Sequence, residues 1–358
     1  MSATVSAPVL FEERVAANGA RIAIATLNVE KTLNALSLDM VHLLSQRLVT
    51  WSADAGIVLV MLQAAGEKAF CAGGDLQNLY RAMLAHHASD ARDDIVANRY
   101  AVDFFAHEYR LDHMIHNYPK PVLCWGHGIV MGGGVGLMSG ASHRVVTEQS
   151  RVAMPEISIG LYPDVGGSWL LSRMPGKTGL FLALTGAQIR ASDALFVGMA
   201  DHAIAQSDKH AVLESLLRQP WTDLRSDNDA LLSQLLRRFS DPALSEPGPL
   251  QQHFAAINAA CVAADVQHIA AAIAALDIDD AWLRKAAATL AAGSPSSAAL
   301  AHALLHRAQH MSLEEVFRME YIASLHCAAR PDFAEGIRAL LIDKDGKPRW
   351  QQIGRAHV

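Results

Sequence analysis

A chain of 358 residues, 51% hydrophobic and 18% charged, has enough apolar material for one large domain with an appendage or for two domains, which excludes a wholly disordered protein. The net charge of -6 gives no general basic field, so neither nucleic acid nor an anionic membrane is expected as the main partner. The four cysteines (Cys71, Cys124, Cys261, Cys327) form no CxxC pair, which argues against a zinc site or a disulfide framework and for a reducing compartment. The opening "MSATVSAPVLFEERV" shows no leader pattern, and the apolar runs are far shorter than a bilayer crossing, so a soluble cytoplasmic protein is expected.

In chain order, the first signal is a hairpin: two apolar runs flank Asn18-Gly19, a dipeptide suited to the positive φ angles of a tight turn. Ser37 can cap a helix whose apolar residues Met40, Val41, Leu44, Leu48 and Trp51 recur at three- and four-residue spacing. The run "GIVLVMLQA" that follows reads as a buried strand. In "KAFCAGGDL", Asp75 stands where it caps a helix beginning "LQNLYRAML". Then "KPVLCWGHG" is a short strand, "GGGVGLMSGA" opens a helix, "HRVVTEQ" is strand-like and "SWLLSRM" begins another helix. These repeated units predict an α/β fold, a sheet covered by helices. From about Lys209 the strand signals give way to helix formers, so an α/β core over residues 1–208 and a helical region over 209–358 are expected, with "SEPGP" at Ser245 to Pro249 the clearest internal break.

Three glycine-bearing segments carry the chemistry. Three consecutive glycines in "HGIVMGGGVGL" let backbone approach a ligand at a helix start, where unpaired amides and the helix dipole favour negative charge; glycine for tight packing is the plainer alternative. Amides near Gly74 and Gly133, if they converge, make an oxyanion hole. In "MPEISIGLYPDVGG" the two charges, Glu156 and Asp164, are both acids in apolar surroundings, eight residues apart across a loop rich in glycine and proline. Such a loop can fold back and bring both to one pocket, where paired carboxylates divide acid, base and nucleophile roles. A phosphate-binding loop is excluded, because the "GKT" at Gly176 has Leu171 where the motif needs glycine. A dinucleotide motif fails as well, with Ser139 in place of its third glycine. A Cys71–His127 nucleophile and a metal pair at His113 and His116 are weighed and set aside, since no base is positioned and further ligands are lacking.

These segments, with "LNALS" and "LALTGAQIRASDALFVGMADHAI", resemble the crotonase (enoyl-CoA hydratase/isomerase) superfamily from about Phe11 to Trp350. Within it, "PDVGG", "FFAHEYRLDHMI" and "DFAEGIRALLIDKDGKPRW" are similar to the 3-hydroxyisobutyryl-CoA hydrolase branch. The resemblance implies a crotonase-like spiral of ββα units with an extended helical C-terminal region, and a thioester carbonyl held between the amides of Gly74 and Gly133. It implies that Glu156 attacks that carbonyl or activates water, that Asp164 orients the acyl chain or the water, and that Glu108 holds a β-hydroxyl. CoA is expected along Lys31, Leu33 and Ala35 and along Ala72, Gly73 and Asp75. Hydratases of the superfamily carry an acid two positions after the glycine triplet, and here that position is Gly136. The readings thus compared are a hydroxyacyl-CoA thioester hydrolase, an enoyl-CoA hydratase or isomerase, and a catalytically silent acyl-CoA-binding protein. No metal or redox cofactor is expected beyond the CoA of the substrate, and a homo-oligomer, trimer or dimer, is implied.

Overall fold

The computed structural model describes residues 7–276 and 279–351. Its strands are β1 (Val9–Val15), β2 (Arg21–Leu27), β3 (Ile57–Ala64), β4 (Ala69–Cys71), β5 (Val122–Gly126), β6 (Ile129–Met131), β7 (His143–Val146), β8 (Arg151–Ala153) and β9 (His202–Ala203). They form a six-stranded sheet in the order β1-β2-β3-β5-β7-β9 and a three-stranded sheet in the order β4-β6-β8. The expected hairpin is β1-β2, and only Gly19 of its turn has a positive φ, +86°. Asn18 contributes its side chain instead, Oδ1 accepting from the Ala20 amide at 3.3 Å. From β2 onward the large sheet is parallel, and β3 is buried along almost its whole length, as a strand covered on both faces must be.

Helix α1 (Leu38–Ala53) begins where Ser37 Oγ accepts from the Met40 amide at 3.2 Å, and it buries Met40, Val41, Leu44, Leu48 and Trp51. Helix α2 (Leu76–His87) is capped by Asp75 in the same way. Helices α3 (Arg99–His116) and α4 (Gly133–Ser139) follow. The α/β fold with a helical C-terminal region is therefore as expected, and from Lys209 onward every described element is a helix.

Compactness divides the chain into two units that are not consecutive stretches. The first gathers residues 1–74, 110–152 and 189–248 and contains the large sheet. The second gathers residues 75–109, 153–188 and 249–358. The helices Lys209–Leu216 and Arg225–Phe239 belong to the first unit, where Val212, Leu216, Leu232 and Leu236 pack with Ile22, Met61, Leu123 and Trp125. A parallel sheet needs both faces covered, so helix-forming sequence after Lys209 is recruited to its core. The break at Ser245 to Pro249 does coincide with the end of the first unit at Gly248. Among the described residues no helix is long and apolar enough to cross a membrane.

Candidate active site

The first unit presents backbone. Strands β4 and β6 run parallel with Cys71 opposite Val130. Gly74 lies as far beyond Cys71 as Gly133 lies beyond Val130, so the two glycines leave the same edge of the small sheet. A Cβ on Gly134 would collide with the Cys71 carbonyl oxygen, so the first turn of α4 rests directly on the end of β4, an approach only glycine permits. The Val135 and Gly136 amides donate to the Gly132 carbonyl at 2.7 and 3.1 Å, so the Gly133 and Gly134 amides are the ones the helix leaves without an acceptor of its own.

The stretches expected along CoA are laced together: the Leu36 amide donates to the Gly73 carbonyl at 2.8 Å and the Ala72 amide to the Leu33 carbonyl at 3.1 Å. Lys31 is exposed, Leu33, Ala35 and Ala72 are half-buried, and Gly73 is buried at φ +110°. The anchor of this loop is a residue that the motif reading passed over. Asn34 adopts a left-handed conformation at φ +55° and is buried, its Nδ2 donating to the Ala65 and Ala69 carbonyls at 3.0 Å. Asparagine at such a position is itself a readable signal, since few residues tolerate it.

The second unit presents side chains. Glu156 begins a short turn (Glu156–Ile159) that ends at Gly160, where a Cβ would strike the Asp332 carbonyl. Glu156 is 4% exposed, and its Oε2 has no hydrogen-bond partner among the described residues. Burial, with the charges of Asp164 and Glu320, pushes its carboxyl well above the usual carboxylate range. Asp164 is 5% exposed and accepts from the Tyr109 hydroxyl at 2.6 Å. Burial raises its carboxyl to about 6, against the lowering effect of that hydrogen bond. Glu108, beside Tyr109 on α3, is buried. Both acids of "MPEISIGLYPDVGG" are thus buried, and the charge of Asp164 acts on Glu156.

Two residues around them, Glu320 and Ser324, carried no local signal. Glu320, on the helix Leu313–Ala329, accepts from the Gly166 amide at 2.7 Å and the Ser168 amide at 2.9 Å and so clamps the turn after Asp164. That turn holds Val165 at φ +53°, a strained angle for a β-branched residue. Burial lifts the Glu320 carboxyl to about 8. Ser324, one turn further on, contacts the hydroxyls of Tyr109 at 2.7 Å and Tyr162 at 2.9 Å.

Asp75 uses both carboxylate oxygens on Asn78, its amide and its side chain, so capping is the role its contacts show. His127 Nε2 meets the Gly66 carbonyl at 2.8 Å, and His116 Nε2 faces Ser139 Oγ at 3.4 Å. Arg338 pairs with Glu335, Asp343 and Asp345, so its charge is already engaged within the protein. Among the described residues no three histidine, cysteine or acidic groups are disposed to hold a metal ion.

The enoyl-CoA hydratase/isomerase family profile matches residues 22–358. A Danio rerio protein named 3-hydroxyisobutyryl-CoA hydrolase, mitochondrial, is 40% identical over 100% of this chain and 88% of its own length. The Homo sapiens protein of the same name is 36% identical over 92% of this chain and 81% of its own. A crystal structure described as an enoyl-CoA hydratase from Rhodobacter sphaeroides is 32% identical with a TM-score of 0.81, covering 98% of this chain and 94% of that one. One described as a carnitinyl-CoA dehydratase from Mycobacterium thermoresistibile is 33% identical, also at 0.81, covering 97% and 94%. Matched in sequence and fold along nearly its whole length, the chain belongs to the enoyl-CoA hydratase/isomerase family.

Proposed function

We propose that the protein is an acyl-CoA thioester hydrolase that cleaves 3-hydroxyisobutyryl-CoA, and also 3-hydroxypropionyl-CoA, to the hydroxy acid and free CoA. The observation that carries this reading is the pair of buried acids: Glu156, one of whose oxygens has no hydrogen-bond partner among the described residues, and Asp164, held by Tyr109. The names of the zebrafish and human relatives support the substrate. In this mechanism the Glu156 carboxylate either attacks the thioester carbonyl, giving a mixed anhydride that water then hydrolyses, or takes a proton from the water that attacks; in both the C–S bond breaks as the tetrahedral intermediate collapses, and the departing CoA thiolate takes up a proton. The amides of Gly74 and Gly133 supply oxyanion donors, each typically worth about 3 to 4 kcal/mol of barrier. Asp164 orients the acyl chain or the water, and Glu108 takes the β-hydroxyl. Gly136, where hydratases of the family carry an acid, speaks against hydration.

The proposal needs no group beyond the CoA of the substrate. It extends to a homo-oligomer, to a place in valine degradation and to a cytoplasmic location; four free cysteines fit a reducing compartment, while the relatives are named mitochondrial. Thiol release from 3-hydroxyisobutyryl-CoA and 3-hydroxypropionyl-CoA tests the reaction. Turnover of both is expected, and tight binding without thiol release would identify a silent acyl-CoA-binding protein instead.

A further inference from the structure

Within the second unit, one residue of the helix Leu313–Ala329 holds the loop that carries Asp164. Glu320 is fully buried, and its carboxylate spans two amides beyond Asp164: Oε2 accepts from Gly166 at 2.7 Å and Oε1 from Ser168 at 2.9 Å. Its main-chain carbonyl accepts from the Tyr162 hydroxyl at 2.6 Å. The loop is therefore gripped two residues before Asp164 and again two and four residues after it, all from a single helical position. One turn further along the helix, Ser324 Oγ lies 2.7 Å from the Tyr109 hydroxyl, the same hydroxyl that donates to Asp164 Oδ2 at 2.6 Å.

Two features make this grip costly to maintain. A carboxyl group taken out of water needs compensation, and here main-chain amides rather than a cation supply it. Between Asp164 and the first of those amides stands Val165 at φ +53°, followed by Gly166 at +81°. A β-branched residue keeps a left-handed angle only where its surroundings enforce it. The turn brings the Gly166 and Ser168 amides onto one acceptor, a concave arrangement that favours an anion, and the Glu320 side chain fills it. We propose that Glu320 is a positioning residue for Asp164: its carboxylate beyond the acid and its carbonyl before it hold Val165 in the left-handed turn and keep the Asp164 carboxyl on Tyr109. The catalytic meaning rests on the hydrolase reading; the hold on the turn is a property of the resting protein.

Glutamine at position 320 separates positioning from plain support. It has the shape of glutamate but only one acceptor oxygen, so its side-chain nitrogen is set against a main-chain amide that is also a donor. At full burial an amide without an acceptor is costly, and the turn has to move to find it another. Movement of that turn carries Asp164 with it.

A crystal structure of Glu320→Gln gives the first reading. Val165 is expected to leave the left-handed region and Asp164 Oδ2 to move out of hydrogen-bond distance of the Tyr109 hydroxyl; a variant that keeps both overturns the proposal. The second reading is a double-mutant cycle on kcat for thiol release from 3-hydroxyisobutyryl-CoA. Glu320→Gln should lower kcat roughly tenfold to a hundredfold in the wild-type background, as a small misplacement does, but less than about threefold on top of Asp164→Asn, where the group it positions is gone. A residue that only supports the fold costs the same factor in both backgrounds, and equal factors overturn the proposal. Should Glu320→Gln not fold, Tyr162→Phe, which removes the grip before Asp164 and leaves the carboxylate in place, replaces it in both measurements, with displacement of Asp164 from Tyr109 as the crystallographic reading. The crystal structure needs no turnover, so absence of thiol release from the wild-type protein would count against the hydrolase reading alone.

Discussion

The two units prepare for chemistry in different materials. The first offers main-chain amides at the ends of parallel strands, fixed by glycine contacts such as that of Gly134 on Cys71. The second offers ionisable side chains, Glu156, Asp164 and Glu320, buried among helices and bonded to tyrosine, serine and amide groups. An amide neither titrates nor disappears when its side chain is replaced, so the first unit should respond to added bulk and ignore pH. The second should respond to both charge and pH.

The largest expected effect lies in the second unit. Glu156→Gln removes the attacking or activating carboxylate and should lower kcat for thiol release at least about a thousandfold while the fold persists. Asp164→Asn should cost roughly a hundredfold in the same assay, because the neutral amide can accept from Tyr109 but no longer offers the carboxyl proposed to orient the acyl chain or the water. In the first unit, Gly134→Ala forces a methyl group onto the Cys71 carbonyl and should destabilise the protein by about 1–3 kcal/mol, read as a lower thermal midpoint at every pH. Should Gly134→Ala be as stable as wild type, the close seating of α4 on β4 is wrong.

The smallest effect sharpens the contrast most. Asp164 and Glu320 hold protons up to about 6 and about 8, and Glu156 is raised as well, whereas carboxyls of an unfolded chain ionise near about 4. Groups whose pKa is higher in the fold stabilise it fully below their unfolded value, and the contribution is lost as pH rises through the folded value. The contribution of these three acids to thermal stability should therefore decline between pH 5 and 8, against the rise up to about 6.5 from His116, His127, His143, His202 and His302, all lowered by burial, and Glu156→Gln, unable to ionise, should lose its share of that decline. A variant as steep as wild type would show that Glu156 is not buried as a charge.

How far the sequence alone reaches also differs between the two regions. Ser37, the five apolar residues of α1, the Asn18-Gly19 turn and the run from Ile57 to Ala64 signal themselves within a few positions, because caps, periodicity and turn chemistry are local. Glu156 and Asp164 stand out for the same reason, two acids on one short apolar loop. Tyr109 and Ser324 lie 215 positions apart, and no local pattern in "HEYR" or "YIASL" joins them. Nor does composition show that the helices after Lys209 divide between two cores, since helix formers look alike whatever surface they cover.

The most direct test of the central claim sets thiol release from 3-hydroxyisobutyryl-CoA against hydration of crotonyl-CoA on one preparation of the wild-type protein. The account predicts release of free CoA with no loss of the crotonyl double bond. Hydration of crotonyl-CoA without thiol release would contradict it and return the protein to ordinary hydratase chemistry.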